Sequence, residues 1–267
     1  MHRFTQLTQM TYRSILRDRL LHVLLVLAVV TFLMVPAFSL FSMRQVQELS
    51  ITLSLSAISF ILMMLATLLG ASSIWRDVEK KYTSSVLGLP LSRSDYLLAK
   101  FAGITFFLTV CTVLLGALAL VVIALSSAQY GSSLEVRWEN IITAIVFDYL
   151  KYILLTAVAI FFSSLSTSFF FPFLTTIAVY LCGSASQEVF EYVSGEYGNN
   201  ISPATLIAIK GIYYLLPNFS AFNLKVQAIY ALPLSVGSLA FTLVYFVVYT
   251  SLILWISVWS FARRELI

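Results

Sequence analysis

The chain has 267 residues, of which 60% are hydrophobic and only 10% charged, and its mean hydropathy is +0.94. A soluble domain is about 45–50% apolar by a similar count, so the composition excludes that class and makes the chain an integral membrane protein. The formal net charge of +4 is a membrane-orientation signal and does not point to nucleic acid.

Ahead of the first apolar run, Phe4, Leu7, Met10 or Thr11, Ile15 and Leu16 recur at helical spacing, while Arg3, Gln6, Gln9, Arg13, Arg17 and Asp18 take the other face. This predicts a helix over about 4–19 lying in the headgroup plane. A plain positively charged anchor is the alternative. The basic stretch from Arg13 to Arg19 could be taken for the start of a secretory signal, but Leu20 to Leu40 outruns a signal's apolar part and no small-x-small cleavage site follows. It is read as a retained first span.

A bilayer core about 30 Å thick needs roughly 20 mostly apolar residues per helix. Six segments qualify, at about 21–42, 51–74, 98–125, 141–163, 168–189 and 234–260. All should be helical, since the lipid offers no water to free backbone groups and no ten-residue alternation of a barrel is present. With the N-terminus inside, eleven of the sixteen Lys and Arg fall on the cytoplasmic side, which places both termini there.

Between the second and third spans lies a charged island from Trp75 to Lys100, carrying Arg76, Asp77, Glu79, Lys80, Lys81, Arg93 and Asp95. Positive-inside bias alone does not call for its acids, and charge mixed with a few apolar anchors suits a docking patch. An ordinary solvated loop is the plain alternative. On the second span Thr52, Ser56, Ser59, Met63, Ala66, Gly70 and Ser73 form a small, mildly polar stripe, suited to close helix packing or to lining a route. On the fourth span Asp148 and Lys151 stand three apart on one face near the outer end, and read as an interfacial pair rather than a proton relay. On the fifth, Phe169, Phe170, Phe171 and Phe173 surround Pro172, with Tyr180 farther along. Beyond it, Ser202-Pro203 offers an N-cap and a first-turn proline, and Pro217-Asn218 stops the helix. About 14 residues at 1.5 Å each give roughly 21 Å, too short to cross. A re-entrant or surface hairpin on the outer side, 203–216 then about 221–231 within 202–232, is therefore expected.

Cys111 and Cys182 fall in apolar spans and suggest neither a disulfide nor a metal site. No His-Glu-x-x-His and no Gly-x-Ser-x-Gly is present, so no catalytic or metal residue is assigned. There is also no Gly-x-x-x-x-Gly-Lys-[Ser/Thr] phosphate loop, so a power source would lie on another chain.

The order of amphipathic helix, Leu16-Arg17-Asp18-Arg19-Leu20, two spans, Glu79-x-x-x-Thr83-x-x-x-Leu87-x-x-Pro90-x-Ser92-Arg93 and Lys100 opening the third span resembles the ABC-2 type permeases of ATP-binding-cassette transporters. Phe162-Ser-Ser-Leu165, Leu216-Pro217-Asn218 with Phe222-Asn223, and a terminal Phe261-Ala-Arg-Arg264-Glu-Leu are similar too, whereas Tyr82 stands where the family often has glycine. The resemblance implies one all-α permease domain over 1–267 with six transmembrane helices, the N-terminal interfacial helix and the outer re-entrant hairpin. It also implies a short coupling helix within 75–97 that seats in a cleft of a separate ATPase, with Trp75, Asp77, Glu79, Lys80, Thr83, Leu87, Pro90 and Arg93 as its contact residues and Arg13, Arg17, Asp18 and Arg19 on the interfacial helix beside it. Two ATPase subunits would hold ATP and Mg²⁺, and a second permease copy would complete a homodimer. Spans two and five would face that copy, which makes Thr52, Ser56, Ser59, Met63, Phe170, Phe173 and Tyr180 candidates for the dimer interface or the path. An apolar, aromatic lining suits a lipid-like or amphipathic cargo moved outward across a bacterial or archaeal cytoplasmic membrane. The chain itself would be no enzyme. A secondary carrier, with a titrating group at mid-membrane, and a membrane scaffold or sensor are the rival readings.

Overall fold

The computed structural model describes residues 2–39, 45–79, 92–129, 135–195 and 202–263. Among them the chain is helical, without strands: α1 (His2–Leu16), α2 (Arg19–Ser39), α3 (Val46–Glu79), α4 (Arg93–Gln129), α5 (Trp138–Leu165), α6 (Phe170–Ser194), α7 (Pro203–Leu215), a 3-10 turn (Ser220–Phe222), α8 (Lys225–Ile229) and α9 (Val236–Arg263). Among the described residues five helices are long and apolar enough to cross a membrane, over His22–Ser39, Val46–Arg76, Arg93–Ala128, Trp138–Leu165 and Val236–Arg263. The expected fifth span is α6, with 25 residues. It is not among those five, because its second half turns polar from Gly183-Ser-Ala-Ser to Gln187 and Glu188.

Hydroxyl side chains are reconciled with an apolar surrounding inside the helices themselves. Thr67, Thr112, Thr156 and Ser257 each donate to the carbonyl four residues back, at 2.7–2.9 Å. In hydrocarbon an O–H with no acceptor would be costly, and the preceding turn supplies one.

α5 runs through the middle of the bundle, with 72% of its apolar stretch buried, followed by α3 at 61%, whereas α2 and α9 are only 22% and 17% buried. The first two therefore form the axis and the last two turn most of their surface outward. Ile58, Leu62, Leu65, Ala66 and Ile74 of α3 pack against Leu154, Leu155, Ala157, Ala159 and Ile160 of α5, all at most 2% exposed. Their backbones come close at Gly70, where a Cβ would stand 2.5 Å from that of Ala159. One turn on, Ser163 donates to the Ala71 carbonyl at 2.8 Å.

α1 lies across α4. Thr11 and Ile15 are buried, while Gln6, Gln9, Met10, Arg13 and Ser14 are exposed. Thr11 fits against Gly103, where any Cβ would stand 2.8 Å from it, and the Tyr12 ring meets Phe106 edge-on at 5.2 Å. α1 ends before Asp18, whose N–H donates to the Ile15 carbonyl at 2.9 Å.

Two expectations about element boundaries are corrected. α3 stays helical through Glu79 and α4 begins at Arg93, so 75–79 and 93–97 belong to the long helices rather than to a separate loop. The second arm expected at 221–231 is not one helix. The Asn218 side chain accepts from the N–H groups of Ser220 and Ala221 at 3.1 and 3.3 Å, which nucleates a 3-10 turn, and α8 starts separately at Lys225.

Candidate functional site

Helix ends converge on the side expected to be cytoplasmic. At the end of α3, Arg76 forms an ion pair with Asp18, which sits in the turn between α1 and α2; the Asp18 side chain is only 10% exposed. This is more sheltered than a surface pair, so screening by water weakens it less. Beside it the Trp75 ring packs on Phe169, just before α6, at 5.7 Å. At the start of α4, Ser92 accepts from the Asp95 N–H at 3.1 Å, a side-chain N-cap. Arg93 donates to the carbonyl of Ala262 at 3.0 Å, giving the orphan end of α9 a cationic donor. The join is completed by Tyr96 stacked on Phe261 at 6.0 Å.

Of the residues expected to couple to an ATPase, Trp75 and Arg93 thus hold helix ends together. Asp77 and Glu79 occupy the last turn of α3. Lys80, Thr83, Leu87 and Pro90 lie outside the described residues. Of the interfacial set, Arg13 and Arg17 are exposed, Asp18 carries the ion pair, and Arg19 is the first residue of α2.

A second polar cluster lies in the bundle interior. Asp148 and Lys151 are each 5% exposed and form an ion pair. Asp148 is ten residues into α5, roughly 15 Å from its start, and accepts a hydrogen bond from the buried Ser59 of α3, so the pair lies inside the bundle. Lys151 also sits 4.7 Å over the Tyr152 ring. The Tyr152 hydroxyl is 3.4 Å from that of Tyr180 on α6, and Tyr180 in turn packs on Phe219 at 5.5 Å. From α8, Lys225 reaches the Ser56 hydroxyl at 3.5 Å. Burial pushes the Lys225 ammonium below its ordinary range; the Asp148 charge opposes this and the Lys151 charge adds to it. One carboxylate thus stands among two ammonium groups, two serines and two tyrosines drawn from α3, α5, α6 and α8.

The candidate interface residues therefore divide. Ser59 and Tyr180 turn into the bundle, and Phe173 stacks on Phe169 at 5.6 Å. Ser56 is exposed, and Phe170 is 69% exposed. Thr52 donates to the Glu48 carbonyl at 2.7 Å, and Met63 is half-buried. Sequence reasoning missed Tyr152 and Lys225, and it missed Asn140, whose amide donates to the carbonyls of Gln227 and Leu232 at 2.9 and 2.8 Å and ties α5 to α8 and the turn after it. The available signal was their polarity beside or within apolar runs, where such groups need partners.

A family model described as ABC-2 family transporter protein matches residues 9–266. That range takes in all of α2 to α9 and most of α1. Among curated proteins none matches the chain.

Proposed function

The chain belongs to the ABC-2 family of transporter proteins, and from that premise we propose that it is the permease subunit of an ATP-binding-cassette transporter, assembled as a homodimer with two ATPase subunits. The match over residues 9–266 carries this reading. ATP and Mg²⁺ would sit on the ATPase, since the sequence holds no phosphate loop. In this reading α6 is the sixth crossing, its 25 residues spanning roughly 37 Å. Both termini are cytoplasmic, in a bacterial or archaeal membrane, and 203–231 is the outer re-entrant hairpin.

The geometry supports a lever. A displacement delivered between α3 and α4 would act on helix ends already joined to α1, through Arg76 and Asp18, and to α9, through Arg93 and Ala262. α3 is continuous from that end to Ser59 and packs backbone-close on α5 at Gly70. Packed helices move as units instead of deforming, so a push at Glu79 would arrive near Asp148 as a shift of α3 against α5. The exposed aromatic end of α6, with Phe170 and Phe171, suits a lipid-like or amphipathic cargo taken outward.

The test uses Glu79→Arg and Leu87→Ala in membranes that contain the ATPase. Transport and cargo-stimulated ATP hydrolysis should fall about tenfold, the equivalent of about 1.4 kcal/mol of lost coupling, while insertion is unchanged. Normal ATPase co-purification and normal transport in both variants would overturn the assignment. One observation favours a second reading as a secondary carrier: an acid buried among lysines within a span. Transport driven by a proton gradient in nucleotide-free vesicles, and lost in Asp148→Asn, would favour it.

A further inference from the structure

We propose that the groove between α1, α3 and α4 is a binding site for the phosphate headgroup of an anionic phospholipid. It rests on the chain being membrane-embedded and needs neither the ATPase nor a cargo. The groove has a volume of about 730 Å³, within the roughly 300–1,000 Å³ of small-molecule sites. Four cations line it: Arg13 and Arg17 from α1 and its end, Arg76 from α3 and Lys100 from α4. The acid in its lining is Asp18, which is ion-paired to Arg76. Arg76 is held by Asp18 and Lys100 lies 5.6 Å over the Tyr96 ring, so the exposed Arg13 and Arg17 present the forked donors that match a phosphate. Ser14 of α1 adds a hydroxyl to the lining, whereas Ser72 and Ser73 of α3 donate to the carbonyls of Leu69 and Gly70 at 3.4 and 2.7 Å.

The remaining surface identifies the source of the phosphate. A narrow cleft lined by Leu24, Leu65, Leu68 and Phe169 shares Asp18, Leu69, Ser72 and Arg76 with the groove. That cleft holds only about 10 Å³, so the acyl chains of a lipid would run outside it, along α2, whose apolar stretch starts at the groove and is only 22% buried. A free anion would leave the exposed apolar face of α2, with Val23, Val26 and Leu27, uncovered beside the groove. Basic pockets between membrane helices on the cytoplasmic side are suited to anionic headgroups.

The test is native mass spectrometry of the full chain in mild detergent, titrated with phosphatidylglycerol, phosphatidylcholine or inorganic phosphate. One phosphatidylglycerol should be retained, about tenfold tighter than phosphatidylcholine, and Arg13→Gln/Arg17→Gln should lose about tenfold. Arg137→Gln, which changes an exposed arginine at the start of α5, should bind as the unchanged protein does. Should the double variant fail to fold, retention by the unchanged protein is followed against salt and should weaken as ionic strength rises. Equal retention of both lipids, insensitivity to salt, or an unaffected double variant would overturn the site. So would full displacement by millimolar phosphate, which would assign the groove to a soluble anion. A double variant that keeps its lipid and sheds a co-expressed ATPase would make it a protein-docking surface instead.

Discussion

Asp148 and Lys151 bring opposite charges into the interior of a membrane bundle, where neither is tolerated alone. Removing one partner of a buried pair leaves an uncompensated charge and costs about 3–5 kcal/mol, while replacing both with apolar groups of similar size is neutral or favourable. Lys151→Met should therefore lower the thermal midpoint of the detergent-purified protein, with a loss of about 3 kcal/mol. Asp148→Leu together with Lys151→Met should recover most of it. If the single variant melts like the unchanged protein, the pair is not what balances the carboxylate. The i,i+3 spacing of the two residues is plain in the sequence. Their burial is not, because it is set by Ser59, 89 positions away, and by Lys225 beyond a turn. Distance along the chain carries no information about which helix packs behind the pair.

At the scale of the element, hydropathy located the middles of the helices and missed their ends. The second span, expected at 51–74, is a helix over Val46–Glu79, and the third, expected at 98–125, runs Arg93–Gln129. Lipid forces the apolar middle to be helical, and past the hydrocarbon the same ladder continues because water satisfies its orphan groups. The short outer elements were legible where a residue has one role, such as Ser202, whose side chain accepts from the Thr205 N–H at 3.3 Å. They were illegible in the second arm, where the 3-10 turn over Ser220–Phe222 ends before α8 starts at Lys225. The small-residue stripe on α3 was likewise visible, but its partner was not. Gly70 meets Ala159, and this gives a prediction with a definite sign. In an exposed helix alanine is favoured over glycine by about 0.5–1 kcal/mol, whereas overpacking costs about 1–3 kcal/mol. Since the new Cβ would stand 2.5 Å from that of Ala159, Gly70→Ala should destabilise despite propensity. Gly70→Ala with Ala159→Gly should restore the melting midpoint, since it moves the gap to the facing helix. A stabilised single variant would mean that α3 and α5 are not in backbone contact.

Across the whole molecule, burial sorts the helices into an axis of α3 and α5 and a rim whose exposed faces meet either lipid or another protein. α9 is 17% buried over its apolar stretch and shows Phe241, Val248 and Trp255 outward, as a lipid-facing helix should. α6 exposes Leu174 and Leu181 at 61% and 60%, with Phe170 at its start, and α3, which it contacts, exposes Ser56 and Phe60. If the proposed homodimer forms on α3 and α6, two copies of α6 lie near the dimer axis, and the native thiols report on it directly. Cys182 on α6 is exposed and Cys111 on α4 is buried. A short bis-maleimide applied to native membranes should therefore yield a covalent dimer, Cys182→Ser should abolish it, and Cys111→Ser should leave it unchanged. In the Cys182→Ser background, Trp255→Cys on α9 should give none. Cross-linking through α9 and not α6 would place the second copy on the opposite rim. The exposed stripe of α6 would then be surface for lipid, and the aromatic residues at its start would lose their place beside a path between two copies.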